Sequence, residues 1–436
     1  MLDCDLLVIG SGAGGLSAAV TAAHLGLSVV VAEKDPHFGG TTAWSGGWMW
    51  IPRNPLALDA GIREDIDRPL SYLRHELGER FDEARVRAFL AHGPSMVEFF
   101  RRKTALQFID GNLIPDFHGR TPEAATGGRS VCAAPFDGRR LGQWLHALKT
   151  PLHETTLWGM GIASGAELRH FLNALHQPAS FWYVARKLLR HGLDLLVHRR
   201  ATQLVNGNAL VAALARSLLD QGGQIRVNSP ATRLLKDDGR VTGAVLHTPQ
   251  GPLHVNTRHG VVLACGGFPH DARRKQQLLP HAPTGQEHWS AASSGNTGDG
   301  LRLGESTGAH VARDLAQAAA GITRPRDHPA LGHAETAPGI RPVKPAPGEP
   351  LGQQFPFDGD NPVGLEQAMD ELLLRFPFVN GGLFHERLAF PVFDRAMREE
   401  LRRRSRRFLR PVKKHPRADR FEAVQAAAME CLAAVD

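Results

Sequence analysis

At 436 residues, 42% hydrophobic and 22% charged, the chain has the composition of about two to three ordinary globular domains, which excludes wholesale disorder. Its net charge of +7 is local: residues 395–420 hold twelve Lys/Arg against three acids, leaving −2 on the rest, which argues against a nucleic-acid partner. Four scattered cysteines without a C-x-x-C pair exclude a disulfide scaffold or zinc ribbon and fit a reducing cytoplasm, and no apolar run is long enough for a transmembrane segment.

Residues 5–9 (DLLVI) predict a short buried strand, and Gly10 interrupts it, so a cleavable signal peptide is not expected. A glycine-rich turn and a small-residue helix follow, then a β-branched strand over 28–32 (SVVVA) that closes on Glu33. That is β-α-β in about thirty residues, so a parallel pair with a right-handed crossover. Apolar spacing predicts helix over 63–103, a loop-rich stretch over 111–142, and helix again over 145–201. A further helix is expected over 207–219, then strands over 224–227, 231–235, 241–247, 253–256 and 260–264. Asp237-Asp238-Gly239-Arg240 and Pro249-Gln250-Gly251 supply hairpin-turn chemistry between them. Beyond 321 the sequence becomes Pro-rich, then Arg-rich, without a clear pattern.

Gly10-x-Gly12-x-x-Gly15 sits between strand and helix, as a dinucleotide fingerprint requires. The first glycine permits a tight turn, the second lets backbone approach a pyrophosphate, and the third lets helix pack on strand. The helix start offers free N–H groups and a positive partial charge. Glu33, eighteen residues past Gly15, is placed to bind ribose hydroxyls. A nicotinamide enzyme usually continues into another β-α unit. Here a second glycine-and-hydroxyl loop follows instead, Gly39-Gly40-Thr41-Thr42-Ala43-Trp44-Ser45-Gly46-Gly47, which favours FAD. Val261-Val262-Leu263-Ala264-Cys265-Gly266-Gly267-Phe268 is a buried strand ending in glycines that can run under a cofactor. In Gly295-Asn296-Thr297-Gly298-Asp299-Gly300, Asp299 is either a helix-start acid or a flavin-side contact.

Together with LVNGNAL (204–210), these segments resemble the FAD-binding family of fumarate reductase and succinate dehydrogenase flavoproteins, and most of all its 3-ketosteroid Δ1-dehydrogenase branch, over about residues 3–320. The resemblance implies a doubly wound, Rossmann-like α/β FAD-binding domain with an inserted α+β cap. It implies FAD contacts from Gly10, Ser11, Gly12, Ala13, Gly14, Gly15, Glu33, Lys34, Gly40, Thr41, Thr42, Ser45, Gly46 and Gly47. Ala231 would lie beside the adenine, with Ala264, Gly266, Gly267 and Asp299 also near the cofactor. Succinate dehydrogenases tether FAD to a histidine where this chain has Gly40, so a non-covalent flavin is expected.

The organisation implied is a first FAD-binding part over 1–110, a cap or substrate region over 111–200, a second FAD-binding part over 201–320, and an atypical tail over 321–436. Trp158, Met160, Phe181, Trp182 and Tyr183 are either core residues or the lining of an apolar substrate pocket. The activity implied is dehydrogenation of a C–C bond beside a ketone, with hydride passing to FAD, on a small apolar ketone and with an unidentified electron acceptor. A fumarate-reductase-like reduction of a small unsaturated acid and a catalytically incomplete FAD-binding remnant are the alternatives. The family uses tyrosine hydroxyls on the ketone. This chain has only Tyr72 and Tyr183, and near the first expected position it reads Pro115-Asp116-Phe117-His118. His118 is therefore the candidate base, or else an ordinary solvated loop histidine.

Overall fold

A computed structural model describes residues 1–163, 166–279, 282–287 and 290–311. The expected tail over 321–436, Cys431 included, lies outside the described residues. The chain opens with β1 (Leu2–Ile9), α1 (Ala13–His24) and β2 (Val29–Ala32). Next come β3 (Trp48–Trp50), α2 (Pro55–Asp59), α3 (Asp67–Leu77), α4 (Glu83–Lys103), β4 (Phe108–Asp110) and β5 (Ser130–Ala133). The middle holds β6 (Phe136–Asp137), β7 (Thr156–Leu157), β8 (Met160–Gly161), α5 (Ala166–Leu172), α6 (Pro178–His198) and β9 (Gln203–Leu204). Then α7 (Asn206–Asp220) leads to β10 (Gln224–Arg226), β11 (Ala231–Asp237), β12 (Arg240–Thr248) and β13 (Gly251–Leu263), and α8 (Ala272–Leu278) and α9 (Asp299–Glu305) follow.

The main sheet runs β10-β2-β1-β13-β12-β11. Its first four strands are parallel, and β12 and β11 add an antiparallel extension. Alternation along the parallel strands sends successive side chains into two cores. Val8, Val29 and Val31 face a core closed by α1 and α7, through Leu16, Val20, Leu210 and Leu214. Leu7, Ile9, Val30 and Ala32 face the other, closed by Leu234, Leu246, Val255 and Leu303 of the meander and α9. This is the α/β arrangement with a parallel sheet that the first thirty residues predict.

Three local expectations change. The two strands expected over 253–256 and 260–264 are one, β13, because it pairs with β12 along its first half and with β1 along its second, and the two ladders overlap at Val255–Asn256. The helical stretch over 63–103 is broken between α3 and α4, where Gly78 takes φ 51. The helical reading of 145–201 fails around Trp158, which sits with Gly159 in the turn of the β7–β8 hairpin. The predicted Asp238–Gly239 turn is present, with φ 45 and 77 as a type I′ hairpin requires.

Candidate functional site

The glycine-rich turn works through close contact. A Cβ on Gly10 would lie 2.2 Å from the Ala264 carbonyl oxygen, and one on Gly15 would lie 2.0 Å from the Gly10 carbonyl oxygen. The turn thus presses β1, β13 and α1 together. Beyond it, a Cβ on Gly14 would meet nothing within 4 Å. That open side belongs to a cavity of about 340 Å³ at the α1 N-terminus.

Fourteen of the nineteen expected cofactor residues line this cavity: Gly10, Ser11, Gly12, Ala13, Gly14, Glu33, Lys34, Gly40, Thr41, Thr42, Ala231, Ala264, Gly266 and Asp299. Five do not. Gly15 serves helix–strand packing. Ser45 faces a second cavity. Gly46 accepts from the Cys132 thiol at 3.4 Å, Gly47 backs onto the Asn206 backbone, and the Gly267 carbonyl accepts from Gly298 N at 3.1 Å. Sequence reasoning missed Asp35, Ser229, Pro230, Cys265, Ser293 and Asn296, which also line the cavity. Asn296 and Ser293 lie in or beside the GNTGDG segment, a signal that pointed to their neighbour Asp299.

The cavity's carboxylates already have partners. Glu33 Oε2 accepts from Ser11 N at 3.2 Å and from Ser11 Oγ, and Oε1 accepts from Asp35 N at 3.0 Å. A carboxylate offers about four lone-pair sites, so one remains for a ligand hydroxyl. Lys149 Nζ holds Asp35 at 2.8 Å, and Lys34 Nζ holds Asp299 at 2.5 Å. Asp299 is the first residue of α9, a helix-start acid, and it also lines the cavity. Ala13 N donates to Thr42 Oγ1 at 3.0 Å, while Gly12 at the N-cap provides no side chain and the first turn of α1 has no acid. The helix start therefore keeps its positive end toward the cavity. A glycine-lined cradle, a helix start without an acid, Asp35 and Asp299 each paired with a lysine, and a Glu33 carboxylate held by neutral donors suit a pyrophosphate and ribose.

A family model described as "FAD binding domain" matches residues 5–346. The chain belongs to this FAD-binding family. Its cofactor is FAD, which the cavity residues fit. The chain is 36% identical over 312 residues to 4-oxocyclohex-2-ene-1-carboxylate 5-dehydrogenase of Sinomonas cyclohexanicum, covering 71% of this chain and 52% of the relative. It is 36% identical over 320 residues to 3-oxosteroid 1-dehydrogenase of Mycolicibacterium smegmatis, covering 70% and 54%. The fold is similar to the crystal structure of 3-ketosteroid Δ1-dehydrogenase from Sterolibacterium denitrificans in complex with 1,4-androstadiene-3,17-dione, with TM-score 0.64, 34% identity, and 71% and 56% of the two chains covered. The chain spans about half the length of the curated relatives it matches.

The other candidates do not converge. His118 lines neither cavity; its ring is 69% exposed and Nδ1 pairs with the Glu76 carboxylate. Its neighbour Asp116 is buried, accepting from Trp50 Nε1 at 2.6 Å and Arg129 Nη1 at 2.6 Å, so Phe117 projects to the surface between two anchored residues. Tyr72 is buried, and Tyr183 donates to Glu167 at 3.2 Å. Of the apolar set, Met160 is core, Trp158 lines the second cavity, and Phe181 and Trp182 are exposed on α6. No helix among the described residues is long and apolar enough to cross a membrane.

Proposed function

We propose that this chain is an FAD-dependent oxidoreductase that removes hydrogen from a C–C bond beside a ketone. The observation that carries this reading is the glycine-lined cavity at the α1 N-terminus, in a chain 36% identical to two dehydrogenases whose names specify oxo-ring compounds. FAD, when bound, supplies the electron-accepting chemistry. The protein's residues bind and orient it. Gly12, Gly14 and Gly40 leave room for the phosphates, Thr41 and Thr42 offer hydroxyls, and Glu33 keeps a lone pair for ribose. Ala231, Ala264 and Gly266 form an apolar wall beside them.

The region 111–200 is the proposed substrate side, acting on a small apolar ketone and passing electrons to an acceptor yet to be identified. There His118 is the candidate base. A carboxylate partner, Glu76, orients its ring, the arrangement a proton-accepting imidazole uses. The scattered cysteines support a reducing cytoplasm as the compartment.

Purified protein mixed anaerobically with a 3-oxosteroid, and separately with 4-oxocyclohex-2-ene-1-carboxylate, tests the reading. Bleaching of the oxidised flavin band by either compound is expected. A yellow protein bleached by neither would leave only a flavin-binding role.

A further inference from the structure

Lys149 ties the cofactor cradle to the rest of the fold. Its backbone is fixed from two sides: Lys149 N donates to the Phe38 carbonyl at 2.8 Å, and the Lys149 carbonyl accepts from Asn208 Nδ2 of α7 at 2.8 Å. From that base its mostly buried side chain donates to Asp35 Oδ2 at 2.8 Å and to Ser293 Oγ at 2.6 Å, with Nζ 4.9 Å from the centre of the Trp44 ring. Ser293 Oγ in turn donates to Asp35 Oδ2 at 3.2 Å, which closes a triangle of three side chains far apart in sequence. Asp35 and Ser293 line the cradle, whereas Lys149 does not.

The cation answers a crowded acid. A Cβ on Gly295 would lie 2.8 Å from Asp35 Oδ1, so the 293–296 loop runs tight against that carboxylate, which needs a partner there. The same loop reaches Thr41. Thr41 Oγ1 accepts from Ser293 N at 3.1 Å and from Asn296 Nδ2 at 2.9 Å. A hydroxyl has two lone pairs and one hydrogen. Both lone pairs are taken and no described residue accepts the hydrogen, so on the cradle wall Thr41 can only donate. Such a group suits a phosphate oxygen rather than a ligand N–H.

We propose that Lys149 is a positioning residue for the cofactor: by clamping Ser293 to Asp35 it holds the loop that occupies the Thr41 lone pairs, and so aims the Thr41 hydroxyl as a donor at a pyrophosphate oxygen of FAD. The proposal rests on the FAD reading of the cradle and extends it to a residue outside the cradle wall.

The full-length protein, freed of flavin, is titrated with FAD by flavin fluorescence and with ADP by calorimetry, in a double-mutant cycle of Lys149→Met and Thr41→Val. Each single variant should weaken FAD about tenfold, as the loss of one hydrogen bond to a charged group implies, and Thr41→Ser should bind like the parent. The double variant should be about as weak as the weaker single one, because both changes remove the same bond. Ser293→Ala, which leaves the Lys149–Asp35 pair in place, should show most of the same loss and serves if the Lys149→Met protein does not fold. Losses that multiply in the double variant would overturn the proposal, since they would assign Lys149 to neutralising Asp35 alone. Parent-like FAD affinity in Lys149→Met, Thr41→Val or Ser293→Ala would overturn it too. A parent that binds ADP and not FAD would count against FAD as the cofactor, and the same cycle read with ADP would still decide the role of Lys149.

Discussion

Lys34 Nζ lies 2.5 Å from Asp299 Oδ2, joining the residue after the Glu33 strand end to the first residue of α9 across 265 positions of sequence. Lys34 also donates to Thr297 Oγ1 at 2.8 Å. Burial pushes the Asp299 carboxyl up, but the hydrogen bond and charge of Lys34 outweigh it and hold the group below the usual carboxylate range. A carboxyl whose folded pKa is depressed contributes stability that is complete above its unfolded value, near 3.9, and is lost as pH falls through the folded value. Asp299→Asn should therefore cost about 1 kcal/mol at pH 7 in urea unfolding, with the deficit shrinking below about pH 4. A deficit of the same size at pH 7 and pH 3 would mean that the ion pair is not its source.

Gly14 and Gly10 should fail differently. Gly14→Ala adds a methyl where the protein leaves space, in a helix that gains about 1 kcal/mol from alanine. It should melt no lower than the parent without FAD, yet bind FAD at least about tenfold more weakly, because the methyl enters the cradle where backbone must approach phosphate. Gly10→Ala collides with Ala264 and forces φ 106 on a residue with a side chain, so it should lower the melting temperature itself. Unchanged FAD affinity in Gly14→Ala would show that the phosphates lie elsewhere.

Arg129 is fully buried. It holds Glu64 at 2.7 Å and Asp116 at 2.6 Å. Arg129→Met leaves two carboxylates facing each other in a poorly solvated site and should destabilise the protein by about 3–5 kcal/mol. Chemical denaturation measures this, and a loss under about 1 kcal/mol would mean that the acids are rehydrated by local opening.

The thiols of the described residues should be inert near neutral pH. Burial pushes Cys265 up to about 11, helped by the nearby charges of Asp299 and Glu33, and pushes Cys132 to about 12. Burial with Asp5 and Asp3 raises Cys4 to about 11. Since the thiolate is the reactive form, iodoacetamide at pH 7.5, about three units below the lowest of these values, should leave all three unmodified in peptide mass maps of the folded protein. Rapid labelling of Cys265 would show that the cradle opens to solvent.

The flavin should leave with acid. Gly40 offers no side chain for a covalent link, so precipitation with trichloroacetic acid should release all yellow colour to the supernatant. Colour in the pellet would contradict a non-covalent cofactor.

What the sequence determined by itself is what depends on neighbours along the chain. Gly10-x-Gly12-x-x-Gly15 between an apolar run and a small-residue helix specifies a turn that only glycine tolerates, and the unbroken apolar runs Leu6–Ile9 and Val29–Ala32 specify a strand pair buried on both faces. Asp238-Gly239 specifies its hairpin for the same local reason. The tertiary structure alone decided which distant groups share the cradle. Lys149 reaches Asp35 across 114 positions, and Ser293 donates its N–H to Thr41 across 252. Neither residue carries a local mark, because a long-range contact depends on where the chain returns and not on the residue's own backbone preference. The same holds for Trp158, which helical spacing assigns to a helix. It sits instead in a strained turn, where the pairing of two short strands and the bond from His191 outweigh the local preference of a bulky side chain.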